Sequence, residues 1–449
     1  MNLQNVEQLI KERADDYIED LFVLLRKKSI HSNDTEIRET AHFIIKKMEE
    51  IGASTRFIET EGNPVVYGEI INKQENFTLL IYGHYDVQPS GPVEEWLSPP
   101  FEPTIRDEKI YSRGAGDNKG QLMAQILGIK SYLEVFGSLP INIKFVFEGE
   151  EENGSTNLAS FVASHQDLIK ADMVYTADGS MHESGAPFVL LGVRGVLGVE
   201  LTAEGAQWDN HSGNMGNILP NPVWPLVELL QTMCDRNGNI LIEGFYDNIK
   251  KPSLEEERLL KELPFDLEST AKKVGYSKLN MSGEDYYRLL TMTPTFNIAG
   301  FNSGFSGEGL KGVIPGQAKV KIDMRLVADQ DPEDIYQKVC DHVRKYAPEV
   351  KVKHLGEMKP SRTAAGLEVV QLINEAVAEA YHTEPVLQPS LGGSLPVYVW
   401  TDILKVPSVI VPYANFDQAN HSPNENLNLK NYFNGMKCIS HVIHKLKSI

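Results

Sequence analysis

The sequence predicts an α/β protein: a largely parallel sheet flanked by helices, with a smaller α+β domain inserted into it. Three observations carry that expectation. At 449 residues the chain is too long for one ordinary hydrophobic core. Residues 1–192 alternate strand-like and helix-like segments, the rhythm of a parallel sheet with crossover helices. Near Gly192 that texture gives way to exposed-face strands and charged helices, and beyond Arg362 the first texture returns. The expected division is therefore 1–192 and 363–449 for one domain, with 193–362 inserted.

Taken in order, "MNLQNVEQLIKERADDYIEDL" reads as a charged amphipathic helix without the apolar core of a secretory signal. "VVYGEI" and "TLLIYGHYD" read as strands. "NKGQLMAQILGIKSYLEVFG", 118–137, reads as a helix, with Asn118 able to cap it and Gly137 able to end it. "INIKFVFEGEEENGS" is a strand that finishes in acid, and "DMVYTAD", 172–178, is another strand. In the second texture, "RGVLGVELTAEG" alternates as a half-exposed strand does, and "NPVWPLVELLQTMCDR" is helical. The charged stretch "SLEEERLLKELPFDLEST" follows, then the strand "QAKVKIDMRLV". "PEDIYQKVCDHVRKYA" is a helix with Ile335, Val339, Val343 and Tyr346 on one side. "LEVVQLINEAVAEAYH" is an amphipathic helix, "VPSVIVPYA", 406–414, a buried strand, and "NYFNGMKCISHVIHKL" a closing helix.

Composition excludes several function classes. No run approaches the roughly 18–20 apolar residues of a membrane helix. A net charge of -19 argues against nucleic acid, whose phosphates call for basic patches. Cys234, Cys340 and Cys438 are widely spaced with no CxxC, which rules out a disulfide framework and a thiolate zinc site and fits a reducing cytoplasm. No G-x-S-x-G elbow stands in a suitable setting, and "GAG" at 114–116 ends in an acid rather than completing a nucleotide-binding glycine motif.

What remains is a set of polar residues at strand ends. Alternation puts His84 and Asp86 on one face of their strand. Asp117 stands in "SRGAGDNKG" before a helix, Glu150, Glu151 and Glu152 follow a strand, Asp178 follows "DMVYTA", and His421 stands in "ANHSPNE". Singly, each reads equally well as a surface acid or a hydrogen-bonded turn. Together they occupy the carboxyl edge of an α/β sheet, where ligands bind. Carboxylates that close repel one another unless a cation lies among them. Two imidazoles with several carboxylates match the ligand taste of zinc, cobalt or manganese.

The ordered motifs "GHYDVQP", "GAGDNKG", "EGEEENGS", "ADG", "NHSG", "MRLV", "GGSLPV" and "NHSPNE" span nearly the whole chain. On them the chain resembles the di-zinc aminoacylase and carboxypeptidase superfamily of metallopeptidases. That superfamily includes carnosine and Cys-Gly dipeptidases, succinyl-diaminopimelate desuccinylase and acetylornithine deacetylase relatives. "GNILIEGFYDNI" followed by "LEEERLLKELPFD" looks most like the dipeptidase branch.

The resemblance implies a zinc-peptidase-like catalytic domain with an inserted lid and dimerisation domain. It implies two divalent metal ions per subunit, zinc foremost, with cobalt or manganese as substitutes. His84, Asp117 and Asp178 would hold one; Asp117, Glu152 and His421 would hold the other, Asp117 bridging. Asp86 would orient the His84 ring, Glu151 would be the general base, and the Asp117–Asn118 peptide would be cis. Water bridging two metals about 3.5–4 Å apart would attack an amide carbonyl. His211 would reach the site of a partner subunit in a homodimer and donate to the oxyanion. Arg325 would bind a substrate carboxylate, with Gly392, Gly393 and Ser394 lining the pocket. Two departures bear on substrate: Leu391 stands where related dipeptidases carry an acid, and Gly312 where they often carry threonine. Trp208, beside His211, could touch substrate or pack at a dimer contact. The expected function is a cytoplasmic, metal-dependent dipeptidase-like exopeptidase. An N-acyl amino acid deacylase and a non-catalytic binding protein of the same fold are the alternatives.

Overall fold

Leu79, Leu80 and Ile81 leave no polar face on their strand, so that strand has to be covered from both sides. The computed structural model describes residues 2–449 and places Thr78–His84 in the interior of an eight-stranded sheet. Across the sheet the strands run Ser54–Ile58, Val65–Ile70, Asn142–Glu148, Thr78–His84, Met173–Thr176, Ser408–Ile410, Phe188–Leu190 and Val386–Gln388. Thr78–His84 pairs in parallel with both its neighbours, and Ser408–Ile410 is parallel to Met173–Thr176. The first two strands add on antiparallel, and Ser408–Ile410 meets Phe188–Leu190 in a single antiparallel bridge.

Side-chain alternation divides the core into two layers. Leu79, Ile81, Phe145, Phe147 and Tyr175 face one way, into Ile44, Ile126, Val377 and Ile439 from helices Asp34–Glu50, Lys119–Phe136, Glu368–Tyr381 and Leu429–Leu446. Leu80, Tyr82, Val146 and Val174 face the other way, onto Phe161, Val162 and Trp400. The predicted helix at 118–137 forms over Lys119–Phe136, and Gly137 ends it in the left-handed region at φ 80° with its N–H on the Leu133 carbonyl. Asn118 occupies the cap position but does not cap: its amide nitrogen donates instead to the Ala177 carbonyl at 2.7 Å. The N-terminal segment is two helices, Leu3–Glu12 and Ala14–Leu25, rather than one.

The second sheet is antiparallel throughout, in the order Thr295–Ser303, Gln317–Leu326, Gly195–Glu204, Lys351–Met358. Inward residues Leu197, Val199, Leu201 and Ala203 pack with Leu226, Leu229 and Met233 of helix Val223–Met233 and with Ile335, Val339 and Val343 of helix Pro332–Tyr346. Tyr346, expected on that inner side, is exposed instead, its ring lying against His342 while Ala347 and Val350 continue the core. The charged stretch resolves into helices Leu254–Glu262 and Leu267–Lys273, the first with a Ser253–Glu256 capping box. Two chain segments cross between the sheets side by side: Gly192 pairs with Arg362 and Val193 with Ser361. Beside this crossing, Arg362 Nε lies 3.2 Å from Glu256 Oε1, both nearly buried. Among the described residues no helix is long and apolar enough to cross a membrane.

Candidate metal centre and active site

Parallel strands deliver their carboxyl ends to one edge of the sheet, and the chemistry-bearing residues sit there. His84 closes its strand with a fully buried ring. Asp117 belongs to the turn that opens helix Lys119–Phe136, Glu151 and Glu152 to a 3-10 turn after Asn142–Glu148, and Asp178 to the segment after Met173–Thr176. His421 lies on the loop between Ser408–Ile410 and the last helix.

These loops converge into two groups that share one carboxylate. Ligand atoms of His84, Asp117 and Asp178 lie within 4.8 Å of one another, and so do those of Asp117, Glu152 and His421. His84 Nε2 is 3.1 Å from Asp117 Oδ1 and 3.8 Å from Asp178 Oδ2. His421 Nε2 is 3.1 Å from Asp117 Oδ2 and 3.0 Å from Glu152 Oε2. Asp117 thus turns one oxygen toward each group. The Asp117–Asn118 peptide is cis.

Asp86 holds the arrangement from behind. Its Oδ1 is 3.3 Å from His84 Nδ1, which also lies 3.1 Å from the Asp86 carbonyl. The same carboxylate accepts the N–H groups of Glu151, at 3.2 Å, and Glu152, at 3.0 Å. One buried side chain therefore aims the ring and fixes the turn carrying two further site residues.

The protonation equilibria describe a site crowded with negative charge. Burial lifts the Asp178 carboxyl to about 7, with Asp117 adding to the lift. Burial also raises Glu151 well above the usual carboxylate range; His84 opposes that, while Asp178, Asp117 and Glu152 add to it. Burial alone would raise Asp117 too, but hydrogen bonds from His421 and His84 outweigh it and hold the group low. Burial would lower His84, yet Asp117 and Asp86 push it well above its usual value. Hydrogen bonds to Asp117 and Glu152 carry His421 up to about 10. The donors fit a pair of divalent cations: two imidazoles and three carboxylates, no thiolates, arranged as two three-ligand groups around a shared bridge.

Several residues that brace the site went unnoticed in the sequence. Glu425 Oε1 accepts the N–H groups of both Gly116 and Asp117 at 3.0 Å, while its Oε2 meets Arg113 at 2.5 Å. Gln121 donates to the Gly116 and Gly179 carbonyls at 2.8 and 3.0 Å, tying the Asp117 turn to the Asp178 segment. Gln88 donates to Glu152 from its backbone and its amide. Glu425 and Gln88 lie inside "NHSPNE" and "GHYDVQP", so the motifs marked their segments; a lone Gln or Glu carries no further signal.

The residues expected to touch substrate divide. Arg325 Nη1 donates to Ser394 Oγ at 2.8 Å, bringing those two together across the two sheets' domains. Arg194 fixes the adjacent glycine turn, its backbone N–H reaching Gly393 O at 3.0 Å and its Nε reaching Gly392 O at 2.9 Å. Burial, then the charge of Arg325, lowers the Arg194 guanidinium to about 10, so two cationic groups face the same region. Close approach favours glycine at Gly392, where a Cβ would meet Leu290 Cδ1 at 2.9 Å and its Cγ at 3.1 Å; at Gly393 it would meet only ordinary contacts. His211 belongs to neither metal group. It sits exposed on a short two-stranded ribbon with Val313, its Nδ1 accepting the Gly213 N–H at 3.0 Å.

Comparison with known proteins follows the same line. Residues 80–445 match the family model described as peptidase family M20/M25/M40. A Cys-Gly metallodipeptidase of Schizosaccharomyces pombe is 27% identical, the match covering 100% of this chain and 99% of that one. The human Beta-Ala-His dipeptidase is 31% identical, over 83% of this chain and 76% of its own. Among solved structures, an M20 family metallo-carboxypeptidase from Sulfolobus solfataricus superposes with a TM-score of 0.88 at 34% identity, covering 96% of this chain and 99% of that one.

Proposed function

The chain belongs to peptidase family M20/M25/M40, and from that premise we propose that it is a dipeptidase-like exopeptidase that works with two bound divalent cations. The observation that carries the reading is the pair of three-ligand groups sharing Asp117, with the Glu151 turn held against them by Asp86. His84, Asp117 and Asp178 would hold one cation, and Asp117, Glu152 and His421 the other. Zinc is the cation these ligands suit first, cobalt or manganese next. Bound there, the cations would polarise the scissile carbonyl and ease deprotonation of a water.

The protein's own groups do the rest. A Glu151 carboxylate oxygen takes the proton from the attacking water, and Glu151 then delivers it to the amine nitrogen as the C–N bond breaks. Asp86 keeps the His84 ring and the Glu151 backbone in one register. Arg325, with Arg194 close by, offers the planar fork that a substrate carboxylate pairs with.

His211 acts on a partner subunit's site in this reading. Two features support it: His211 is exposed in its own chain, and the same domain exposes Trp208 at 67% and Trp224 at 63%. Since Nδ1 accepts a hydrogen bond, Nε2 carries the proton and is the free donor an oxyanion needs. The domain division is read at 193 and 362, where the two crossing segments pair. The three unpaired cysteines accord with a reducing cytoplasm.

The test is one assay on protein stripped with chelator and restored with zinc, cobalt or manganese. It compares a dipeptide panel with N-succinyl and N-acetyl amino acids, and uses Glu151→Ala as the control. Dipeptide turnover that returns with metal and is lost in the variant is the expected result. Turnover of acylated substrates alone would move the chain to the deacylases, and silence on both panels with metal bound would leave a binding protein.

A further inference from the structure

One cavity adjoins the metal centre, and its apolar walls carry none of the roles above. It has a volume of about 370 Å³, within the range of ligand-sized pockets. Asp178 and Gly179 are among its lining residues, so the cavity adjoins the metal centre. Its walls include Phe188, Leu190, Phe265, Leu290, Leu391 and Leu395. They come from both domains, because Phe265 and Leu290 belong to the inserted segment and the others to the eight-stranded sheet and its loops. Also in the lining, Lys273 pairs with Glu183 at 3.0 Å and lies 4.1 Å from the centre of the Phe416 ring.

Two polar side chains in the apolar part of the wall are already committed, and Lys273 and Glu183 are paired with each other. The Tyr287 hydroxyl donates to the Pro264 carbonyl, and the Gln388 amide to the Ser390 carbonyl, each at 2.7 Å. Against Phe188, Leu190, Phe265, Leu290, Leu391 and Leu395 an apolar group gains by leaving water, whereas a polar one would give up its water hydrogen bonds there. Leu391 stands at the joint, against the cavity on one side and beside the Gly392–Gly393 turn on the other. Gly392 packs closely on Leu290 of helix Gly283–Thr291, where an added Cβ would come 2.9 Å from Leu290 Cδ1.

We propose that this cavity receives an apolar side chain of the substrate, leucine- or phenylalanine-sized, and so sets the enzyme's preference among dipeptides. The proposal rests on the dipeptidase reading and deepens it. Cavity, metal centre and the Arg325–Ser394 pair then select a substrate by three features: a carboxylate, an amide at the cations and one apolar side chain.

The experiment measures kcat/KM on metal-loaded protein for two matched series, X-Gly and Gly-X, with X as glycine, alanine, leucine, phenylalanine, lysine and aspartate. In one series leucine or phenylalanine should exceed glycine by about 10- to 100-fold, the span that a few methylenes in an apolar pocket give. Leu391→Asp, which places a charge in the wall, and Leu290→Trp, which fills it, should each bring that ratio to within about threefold of unity. Turnover without an apolar preference in either series overturns the cavity proposal and leaves the dipeptidase reading standing. If no dipeptide is cleaved, the dipeptidase reading falls, and calorimetric titration of free phenylalanine against glycine decides the cavity. Tighter phenylalanine binding with a negative heat-capacity change supports it; equal or absent binding overturns it.

Discussion

Replacing Asp86 with asparagine tests how the centre is held, because it changes almost nothing but charge and one acceptor. The Asp86 carboxylate accepts two backbone N–H groups, from Glu151 at 3.2 Å and Glu152 at 3.0 Å, and lies 3.3 Å from His84 Nδ1. Asparagine brings only one acceptor oxygen. Whichever N–H then faces the amide nitrogen is a buried donor without a partner, which costs about 1–3 kcal/mol. Charge assistance is lost as well, and charged hydrogen bonds are roughly twice as strong as neutral ones. The His84 tautomer survives, since Nδ1 keeps the Asp86 backbone carbonyl at 3.1 Å. The expected result is therefore a misaimed ring and a loosened Glu151–Glu152 turn rather than a lost ligand. Zinc affinity and kcat should each fall by about 10- to 100-fold, and metal-free protein should lose about 1–3 kcal/mol in urea unfolding. Metal-buffered titrations, steady-state kinetics at saturating zinc and denaturation curves read the three quantities. If affinity and kcat in Asp86→Asn both stay within twofold of the parent, the side chain does not hold the centre and the reasoning fails.

Four further outcomes follow from the structure. Glu256→Gln should destabilise the protein by about 3–5 kcal/mol by leaving Arg362 buried and unpaired, whereas Glu262→Ala, which removes an exposed partner of Arg258, should cost under about 1 kcal/mol; chemical denaturation compares them. Cys438 is buried with its thiol pushed up to about 12, so at pH 8 only roughly one molecule in ten thousand carries the thiolate. In native protein it should resist alkylation that modifies the part-exposed Cys234 and Cys340, as peptide mapping would show. Zinc at a hundred times its dissociation constant should add about 2.7 kcal/mol of stability that chelator removes, visible as a shift in melting temperature. His211→Ala should lower kcat by about 10²- to 10³-fold while leaving zinc content unchanged, and an unaltered kcat would remove His211 from the reaction.

Periodicity made most of the fold legible. Five strands of the eight-stranded sheet announced themselves because burial on both faces forces near-continuous apolar runs such as Leu79–Ile81, whereas Ser54–Ile58, Phe188–Leu190 and Val386–Gln388, short or part-exposed, did not. Thr295–Ser303 and Lys351–Met358 did not, because each is an edge strand of the second sheet and mostly exposed, so little hydrophobic alternation marks it. The stretch at 253–270 looked merely charged, since helix Leu254–Glu262 buries only Glu256, Leu259 and Leu260. Asn118 looked like a cap because asparagine commonly is one. Its side chain is claimed instead by the Ala177 carbonyl, a partner 59 positions away that no local pattern could name.

The residues that converge in the candidate site were legible one by one, but its bracing was not, and the reason is physical. A ligand must be His, Asp or Glu and must stand at a strand end, so residue type and position together narrow the choice. A brace has only to offer a hydrogen bond at the right place, which Glu425, Gln121, Gln88 and Arg194 do with side chains common anywhere on a surface. Glu425 shows what that bracing accomplishes. It stands four positions after His421 and accepts the backbone N–H groups of Gly116 and Asp117, so the loop that carries one imidazole also clamps the bridging carboxylate. Burial raises its carboxyl to about 7, and Arg113 opposes that rise from the other oxygen. Asp86 links the His84 strand to the Glu151–Glu152 turn in the same way. The two three-ligand groups are thus not separate sites that happen to share a residue. In the proposed reading they are one unit: the loop that carries His421 also fixes the Asp117 backbone through Glu425, and the strand that carries His84 also fixes the Glu152 backbone through Asp86.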